Sequence, residues 1–128
     1  MRRGEVYDAA LDPTRDSEQA GFRPVVIVSR DVLHGALPIA IAVPGTTYQP
    51  GRRLYPSQVL LRAPDGGLSR DSVALCEQVR ALAKSRLARL RGVLPPGSMA
   101  QIERALLIAL DLLNPNSALQ QGGGSNPQ

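Results

Sequence analysis

Short segments with apolar residues at alternate positions, separated by polar loops, make up most of the chain before residue 83. Residues 3–11 alternate loosely and predict a first strand. The β-branched run over 24–29 predicts a central strand, with a proline tolerated at its start. Residues 38–43 alternate more cleanly and predict a third strand.

The later β segments are less regular. Residues 54–61 and 68–75 predict extended structure on either side of a tight turn at Gly66-Gly67. Residues 76–82 add a further segment, apolar at Val79 and Leu82. Strands about ten residues apart with turn residues between them predict a small barrel or sandwich.

One long helix is predicted near the C-terminus. Ser98 and Gln101 have the spacing of a capping box, and Pro115 is expected to end the helix. Apolar residues occupy one face and continue onto others, so the helix needs cover on more than one side. A homodimer, a bound partner or burial in the barrel would each provide that cover. The common face holds Ile102, Ala105, Leu106, Ala109, Leu110 and Leu113, and the other faces hold Leu107, Ile108 and Leu112.

Length and composition fit one domain with a modest core. We expect an ordered domain over 1–115 and a disordered, uncharged tail over 116–128. No apolar stretch is long enough for a membrane span, and the N-terminus has no apolar segment typical of a signal peptide. The single cysteine, Cys76, cannot form an internal disulfide, which favours a reducing compartment. We therefore expect a cytoplasmic protein.

Arginine dominates the charge balance. Fifteen basic and eleven acidic residues give a net charge of +4, and fourteen of the basic residues are arginine. The guanidinium group suits phosphate recognition, but a GC-rich genome also enriches arginine. Charge alone therefore leaves nucleic-acid binding and an ordinary basic surface equally open.

The residues needed for several common catalytic sites are missing. With one histidine, His34, a two-histidine ribonuclease site is impossible, and His34 is interpreted as a surface residue in a turn. No cluster of His, Cys, Asp and Glu has metal-ligand spacing, and there is no phosphate-binding or dinucleotide-binding loop. We therefore expect neither a metal nor a cofactor.

Polar side chains instead collect where predicted strands end. A barrel brings its loops together at its ends, so these groups can converge, although composition alone favours solvated loop residues. Glu77 and Gln78 interrupt an apolar segment, and buried polar side chains there would need partners. The set comprises Ser17, Glu18, Gln19 and Arg23 in loop 12–23, Thr46, Thr47, Arg52 and Arg53 in loop 44–53, and Glu77, Gln78 and Arg80.

Three stretches in order resemble the MazF/PemK family of toxin ribonucleases. The first stretch is RRGEVYDAALDPTRDSEQAGFRPVVIVSRD, and the second is VPGTT followed by YPSQVLL. The third is LSRDSVALCEQVRALAKSRL, close to the family's DS-x-x-x-x-EQ-(I/V)-R-x-(I/L)-x-x-x-R-L run. The resemblance extends from Arg2 to about Leu113.

The resemblance implies a mainly β fold with α, namely an SH3-like barrel of the plasmid-toxin type with a C-terminal helix, as a homodimer. It also implies sequence-specific, metal-independent cleavage of single-stranded mRNA. In that reaction the 2′-hydroxyl attacks the neighbouring phosphate and leaves 2′,3′-cyclic phosphate and 5′-hydroxyl ends.

The residues that match the family's catalytic pair are Arg23 and Thr46, although the length of the second loop would let Thr47 take the place of Thr46. Matches to RNA-contacting positions are Ser17, Glu18, Gln19, Glu77 and Gln78, and Arg52 and Arg53 close the second loop. Arginine is a poor general base, so the base is unassigned.

The expected partners are single-stranded RNA, a second copy of the chain and a cognate MazE-like antitoxin. An acidic, partly disordered antitoxin would inhibit by lying over the basic site. Two alternatives stay open: a non-enzymatic gyrase-poison type of toxin on the same barrel, and a nucleic-acid-binding barrel without catalysis.

Overall fold

The computed structural model describes residues 1–11 and 21–112. The expectations for Ser17, Glu18 and Gln19, for the tail 116–128 and for the domain boundary at 115 lie outside these residues. The described strands are β1 (Glu5–Ala10), β2 (Phe22–Ile27), β3 (Ile39–Thr47), β4 (Gln58–Leu61), β5 (Ser72–Leu75), β6 (Arg80–Ala83) and β7 (Leu87–Val93). The helices are α1 (Asp31–Ala36) and α2 (Pro96–Ala109), with 3₁₀ turns at Asp65–Gly67, Cys76–Gln78 and Lys84–Arg86.

The strands form an antiparallel sheet in the order β4-β5-β3-β2-β1-β7, with β6 also paired to β3. Strand β3 is the longest, at nine residues, and it has three partners. Its first half pairs with β6, its middle with β2 and its end with β5. The predicted mainly β fold with a C-terminal helix is therefore confirmed.

Helix α2 packs over one face of the central strands and forms the first hydrophobic core. Val6, Val26 and Val43 lie opposite one another on β1, β2 and β3 and point to this face, where they join Ile102 and Ala105 of the helix. Ile102 is fully buried, so its position fixes how the helix lies on the sheet.

A second core occupies the opposite face of the same strands. Ala9, Val25, Ile27 and Ala42 pack there with Leu82 of β6. Because successive strand residues point to opposite faces, covering both faces buries β2 residues without a break from Val25 to Ile27. The β-branched run in the sequence reflects this double burial.

The predicted capping box of α2 is wrong. The helix begins at Pro96 with Pro95 as its N-cap, no side chain caps it, and the backbone N–H of Ser98 bonds to the carbonyl of Pro95. Proline suits a first helical position because the N–H that it lacks would have no helical partner there.

The helix also ends earlier than the prediction from Pro115. The N–H of Leu112 donates to the carbonyl of Leu107 at 2.7 Å, and the N–H of Asp111 donates to the carbonyl of Ile108 at 3.1 Å. Asp111 has a φ of 59°, so the chain turns out of the helix through a left-handed residue in a Schellman motif. Leu107, Ile108, Leu110 and Leu112 stay exposed around this end.

The prediction that His34 is a surface residue is also wrong. It lies in α1, which the sequence pattern missed, and it is buried. Its Nδ1 donates to the carbonyl of Met1 at 3.0 Å, which leaves Nε2 to accept from Ser29 Oγ at 2.6 Å. Ser29 Oγ in turn accepts from the backbone N–H of Ile41 at 3.0 Å, so the histidine joins α1 to β3 and to the N-terminus.

Several element boundaries differ from the prediction. Residues 44–47 continue β3 instead of opening a loop, and residues 68–71 precede β5 instead of belonging to it. The predicted turn at Gly66-Gly67 is confirmed, with φ values of 64° and 75°. Within the described part of the chain, the structure contains no helix with the length and apolarity of a membrane span.

Candidate active site

A cleft of about 530 Å³ lies where β2, β3 and the turn before β6 come together. It holds both residues predicted to be catalytic, Arg23 and Thr46, together with Arg52 and Gln78 from the predicted RNA-binding set. Its remaining lining residues are Leu11, Pro44, Leu75 and Arg80.

The register of β2 and β3 explains why Arg23 and Thr46 meet. Val25 pairs with Pro44 in the antiparallel ladder, and continuing that register by two residues places Arg23 opposite Thr46. Side chains of directly opposed residues have Cβ atoms about 4.5–5.5 Å apart. The two side chains are therefore on the same face, the one that carries the second core, and both line the cleft just beyond the last buried residues of that core.

Neighbouring strands supply the other walls. Arg80 begins β6 and pairs with Ala42 of β3, while Thr46 pairs with Val73 of β5. Arg23, Arg52 and Arg80 bring three positive charges to the cleft, and none of its described lining residues is acidic. Such a site attracts a phosphate group, and a guanidinium can bind two phosphate oxygens at once.

Thr47 lies on the other side of the sheet. It lines a separate cavity of about 90 Å³ with Ser69, Arg70 and Arg91. Because neighbouring residues of a strand point to opposite faces, only Thr46 of the two threonines faces Arg23. The geometry thus separates the two candidates that the sequence left open.

Glu77 and Gln78 are both exposed, so the expectation of a buried polar pair is wrong. Gln78 lines the cleft, whereas Glu77 binds the end of the loop before β4. One oxygen of its carboxylate accepts from Ser57 Oγ at 2.7 Å, and the other accepts from Gln58 Nε2 at 2.8 Å.

Opposing effects act on the acidity of Glu77. Desolvation raises the pKa of Glu77. This effect is outweighed by hydrogen bonds from Ser57, Gln58 and the backbone of Glu77 itself, and by the positive charge of Arg52. The pKa of Glu77 is consequently lowered, and the carboxylate stays ionised at neutral pH.

Arg53 takes a different position from Arg52. Its guanidinium carbon lies 5.1 Å from the centre of the Tyr55 ring, a cation–π contact at the surface, and it does not line the cleft. The other predicted RNA-binding residues, Ser17, Glu18 and Gln19, lie outside the described residues.

Among the described residues, few side chains near the cleft offer a nucleophile or metal ligands. Burial and the charge of Glu77 raise the pKa of the Cys76 thiol to about 12, so Cys76 is a poor nucleophile at neutral pH. Among the described residues, no three His, Cys, Asp or Glu side chains lie close enough together to hold a metal ion. The groups available to a ligand in the cleft are thus guanidinium, hydroxyl and amide donors.

The sequence had indicated some of these lining residues and missed others. Arg80 was among the polar residues near strand ends, but it had no role assigned to it. Leu11, Pro44 and Leu75 were missed, because an apolar wall residue gives no chemical signal in a sequence. The strand alternation that joins Pro44 to Thr46 was the one pattern that could have revealed them.

The sequence comparisons agree on one family. A family described as PemK-like, MazF-like toxins of type II toxin-antitoxin systems matches residues 2–110. The chain is 39% identical over 117 residues to the endoribonuclease MazF9 of Mycobacterium tuberculosis, which covers 88% of this chain and 98% of that protein.

Solved structures show the same likeness. A mycobacterial endoribonuclease in complex with its cognate antitoxin is 30% identical, with a TM-score of 0.74 over 90% of this chain and 99% of that one. MazF of Deinococcus radiodurans is 27% identical, with a TM-score of 0.69 over 87% of this chain and 96% of its own. From its sequence, its fold and its cleft, the chain belongs to the PemK-like, MazF-like toxin family of type II toxin-antitoxin systems.

Proposed function

We propose that this toxin is an endoribonuclease that cuts single-stranded mRNA at short specific sequences, with the reaction taking place between Arg23 and Thr46. The observation that carries the proposal is that both side chains line one cleft together with Arg52 and Arg80. The relative from M. tuberculosis is named an endoribonuclease, which supports the same reaction class.

The chemistry needs no protein nucleophile. The 2′-hydroxyl of the RNA attacks the adjacent phosphorus, a P–O2′ bond forms and the P–O5′ bond breaks. The products are a 2′,3′-cyclic phosphate and a 5′-hydroxyl end. One proton leaves the 2′-oxygen for a base that we leave unassigned, and one proton is delivered to the departing 5′-oxygen.

Arg23 and Thr46 act on the charge of the transition state. Negative charge gathers on the phosphoryl oxygens, where a fixed guanidinium and a hydroxyl donor stabilise it more than they stabilise the bound substrate. Arg23 also donates toward the leaving oxygen. Arg52, Arg80 and Gln78 hold the flanking phosphate and base groups along the cleft.

We assign Ser17, Glu18 and Gln19, which precede β2 in the chain, to contacts with the RNA substrate. Thr47 and Arg53 bind RNA outside the cleft, from the opposite face of β3 and from the loop that follows it. These assignments follow the family resemblance, and we assign residues 1–115 to the toxin domain.

The partners follow from charge and exposed apolar surface. An acidic antitoxin segment would cover the arginines of the cleft, and a mycobacterial relative has been solved with its cognate antitoxin. A second copy of the chain would cover the apolar end of α2, where Leu107, Leu110 and Leu112 are exposed. Because mRNA is its proposed substrate, we propose that the toxin acts in the cytoplasm.

Cleavage of a mixed-sequence single-stranded RNA in EDTA tests the proposal. We expect discrete cuts with cyclic phosphate ends, and a loss of about 10²–10³ in kcat for Arg23→Ala, the size seen when one transition-state donor is removed. Thr46→Val should also lower kcat, whereas Thr47→Val, which changes an RNA-binding residue on the other face, should raise KM and leave kcat close to wild type.

Two results would contradict the proposal. A folded wild-type protein that makes no cuts would exclude the ribonuclease and turn attention to a toxin that acts without cleavage. Equal losses in the two threonine variants would show that the face of β3 does not determine the reaction.

A further inference from the structure

An aromatic side chain stands at the surface of the loop that supplies Arg52 to the cleft. Tyr55 is 52% exposed, and Arg53 lies over its ring at 5.1 Å. An exposed aromatic ring with a guanidinium on one face still offers its edge and its other face. Among the described residues it is one of two aromatic side chains that are more than half exposed, with Phe22.

Hydrogen bonds hold the backbone of Tyr55 in place. Its carbonyl accepts from the N–H of Gln58 at 2.8 Å, and its own N–H donates to Gln58 Oε1 at 3.3 Å. Gln58 Nε2 is bound in turn by the Glu77 carboxylate, and the N–H of Cys76 bonds to the carbonyl of Ser57 at 3.1 Å. Tyr55 is therefore fixed to the 3₁₀ turn that also carries the cleft residue Gln78.

We propose that Tyr55 and Arg53 form a stacking subsite for one unpaired base that flanks the cleavage site. This inference rests on the proposed ribonuclease function and adds a selectivity element to it. The subsite recognises the π face of a base in single-stranded RNA, and Glu77 acts as a positioning residue that holds it through Gln58.

Distance and charge favour a base of the same RNA as the occupant. Two residues lie between Arg52 and Tyr55, so their Cα atoms are three steps of the chain and at most about 11 Å apart, a span that a few nucleotides cover. Arg52, in the cleft, attracts the phosphates between the cut and this position, and Arg53 stacks on bases as readily as on tyrosine.

The ionised state of Glu77 fits a positioning role. Both of its carboxylate oxygens accept hydrogen bonds, from Ser57 and Gln58, so the carboxylate is held against the end of the loop. The positive charge of Arg52 also favours the ionised form of this carboxylate. The Glu77 carboxylate thus helps to fix the position of Tyr55 through Gln58.

The test measures binding of a short RNA that contains the preferred cut sequence, with a 2′-deoxynucleotide at the cut so that it is not cleaved. An abasic nucleotide replaces each flanking base in turn, and affinity is measured by fluorescence anisotropy. For wild type, we expect one position at which base removal weakens binding about 5- to 150-fold, the range for loss of one base–aromatic stack.

The variants locate that base on the protein. Tyr55→Ala should weaken binding of the intact RNA by the same factor and should be insensitive to base removal at that position, because the two changes delete one contact. Tyr55→Phe should bind like wild type. Leu54→Ala, which removes an apolar side chain of the same loop, is the matched control and should also bind like wild type.

Glu77→Gln distinguishes the loss of Tyr55 positioning from general damage to the RNA-binding site. It should weaken binding of the intact RNA but not of the RNA that already lacks the stacked base. If Tyr55→Ala keeps wild-type affinity, or if base removal weakens its binding as it weakens that of wild type, the subsite is wrong. Parallel cleavage of unmodified RNA by wild type keeps this result distinct from failure of the ribonuclease proposal itself.

Discussion

Gly67 lies at a backbone contact that leaves no room for a side chain. It has a φ of 75°, and a Cβ atom built there would lie 2.1 Å from the carbonyl oxygen of Arg91 and 2.6 Å from the carbonyl carbon. Both neighbours are backbone atoms of β7, so neither can rotate away. Gly67→Ala must therefore push the 3₁₀ turn Asp65–Gly67 off β7.

Two terms set the size of the expected loss in unfolding free energy. A left-handed conformation costs an L-residue roughly 1–2 kcal/mol, and forcing extra volume into a packed contact costs roughly 1–3 kcal/mol. Together they predict a loss of about 2–5 kcal/mol. The same movement strains the hydrogen bond from Arg91 to the Gly67 carbonyl, now 2.9 Å, and the ion pair of Arg91 with Asp8.

Two other glycines supply matched controls. Gly51 has a φ of 84° but nothing within 4 Å of a built Cβ, so Gly51→Ala should lose only the conformational term of roughly 1–2 kcal/mol. Gly35 lies in α1 with equally open space, and Gly35→Ala should gain roughly 0.5–1 kcal/mol from helix propensity.

Urea unfolding of the four proteins at one fixed protein concentration measures these values, because subunit association would otherwise shift the midpoints. The expected order of stability is Gly35→Ala, wild type, Gly51→Ala and Gly67→Ala. If Gly67→Ala and Gly51→Ala unfold at the same midpoint, the close contact between the turn and β7 does not exist.

Three further predictions concern buried groups. Cys76 should resist iodoacetamide in the folded protein at about pH 8 and react once urea unfolds the protein. The reason is that burial and the charge of Glu77 raise the pKa of its thiol to about 12. Labelling of the native protein would contradict this prediction. Burial and the hydrogen bond to Glu5 raise the pKa of Tyr7 from 10.0 to about 12, so native protein keeps a proton that unfolded protein loses. The free energy of unfolding should thus fall as the pH rises from 10 to about 12, and it should fall less steeply in Tyr7→Phe. Equal pH slopes in the two proteins would refute the assignment of this effect to Tyr7. Ile102→Ala, in the first core, should lose about 2–5 kcal/mol in urea unfolding, and Gln101→Ala on the exposed side should lose less than about 0.5 kcal/mol.

The strands were predictable where local pattern and burial agree. The run from Val25 to Ile27 is β-branched because two cores cover it, so the local signal and the tertiary structure indicate the same element. Helix α1 was not predictable in this way. It has six residues, contains a glycine, and owes its position to the contacts of His34.

The candidate site was predictable in composition and not in arrangement. The resemblance selected Arg23, Thr46 and Gln78, and the structure places all three in one cleft. It could not separate Thr46 from Thr47, because that choice depends on the strand register, which only tertiary pairing sets. It also gave Glu77 the same role as Gln78, although neighbouring residues of a tight turn point in different directions.

Strand β3 and the loop that follows it differ in how much change they tolerate, which affects how such toxins diverge. Its paired register leaves no freedom to insert or delete a residue without turning Thr46 away from Arg23. The loop after it is held at its far end, by the Glu77 carboxylate and by the backbone hydrogen bonds of Ser57 and Gln58, so its interior can change in length and composition. Exchanging residues 48–56 between two relatives should therefore transplant RNA preference as a module, with the cleavage chemistry left intact on the strands.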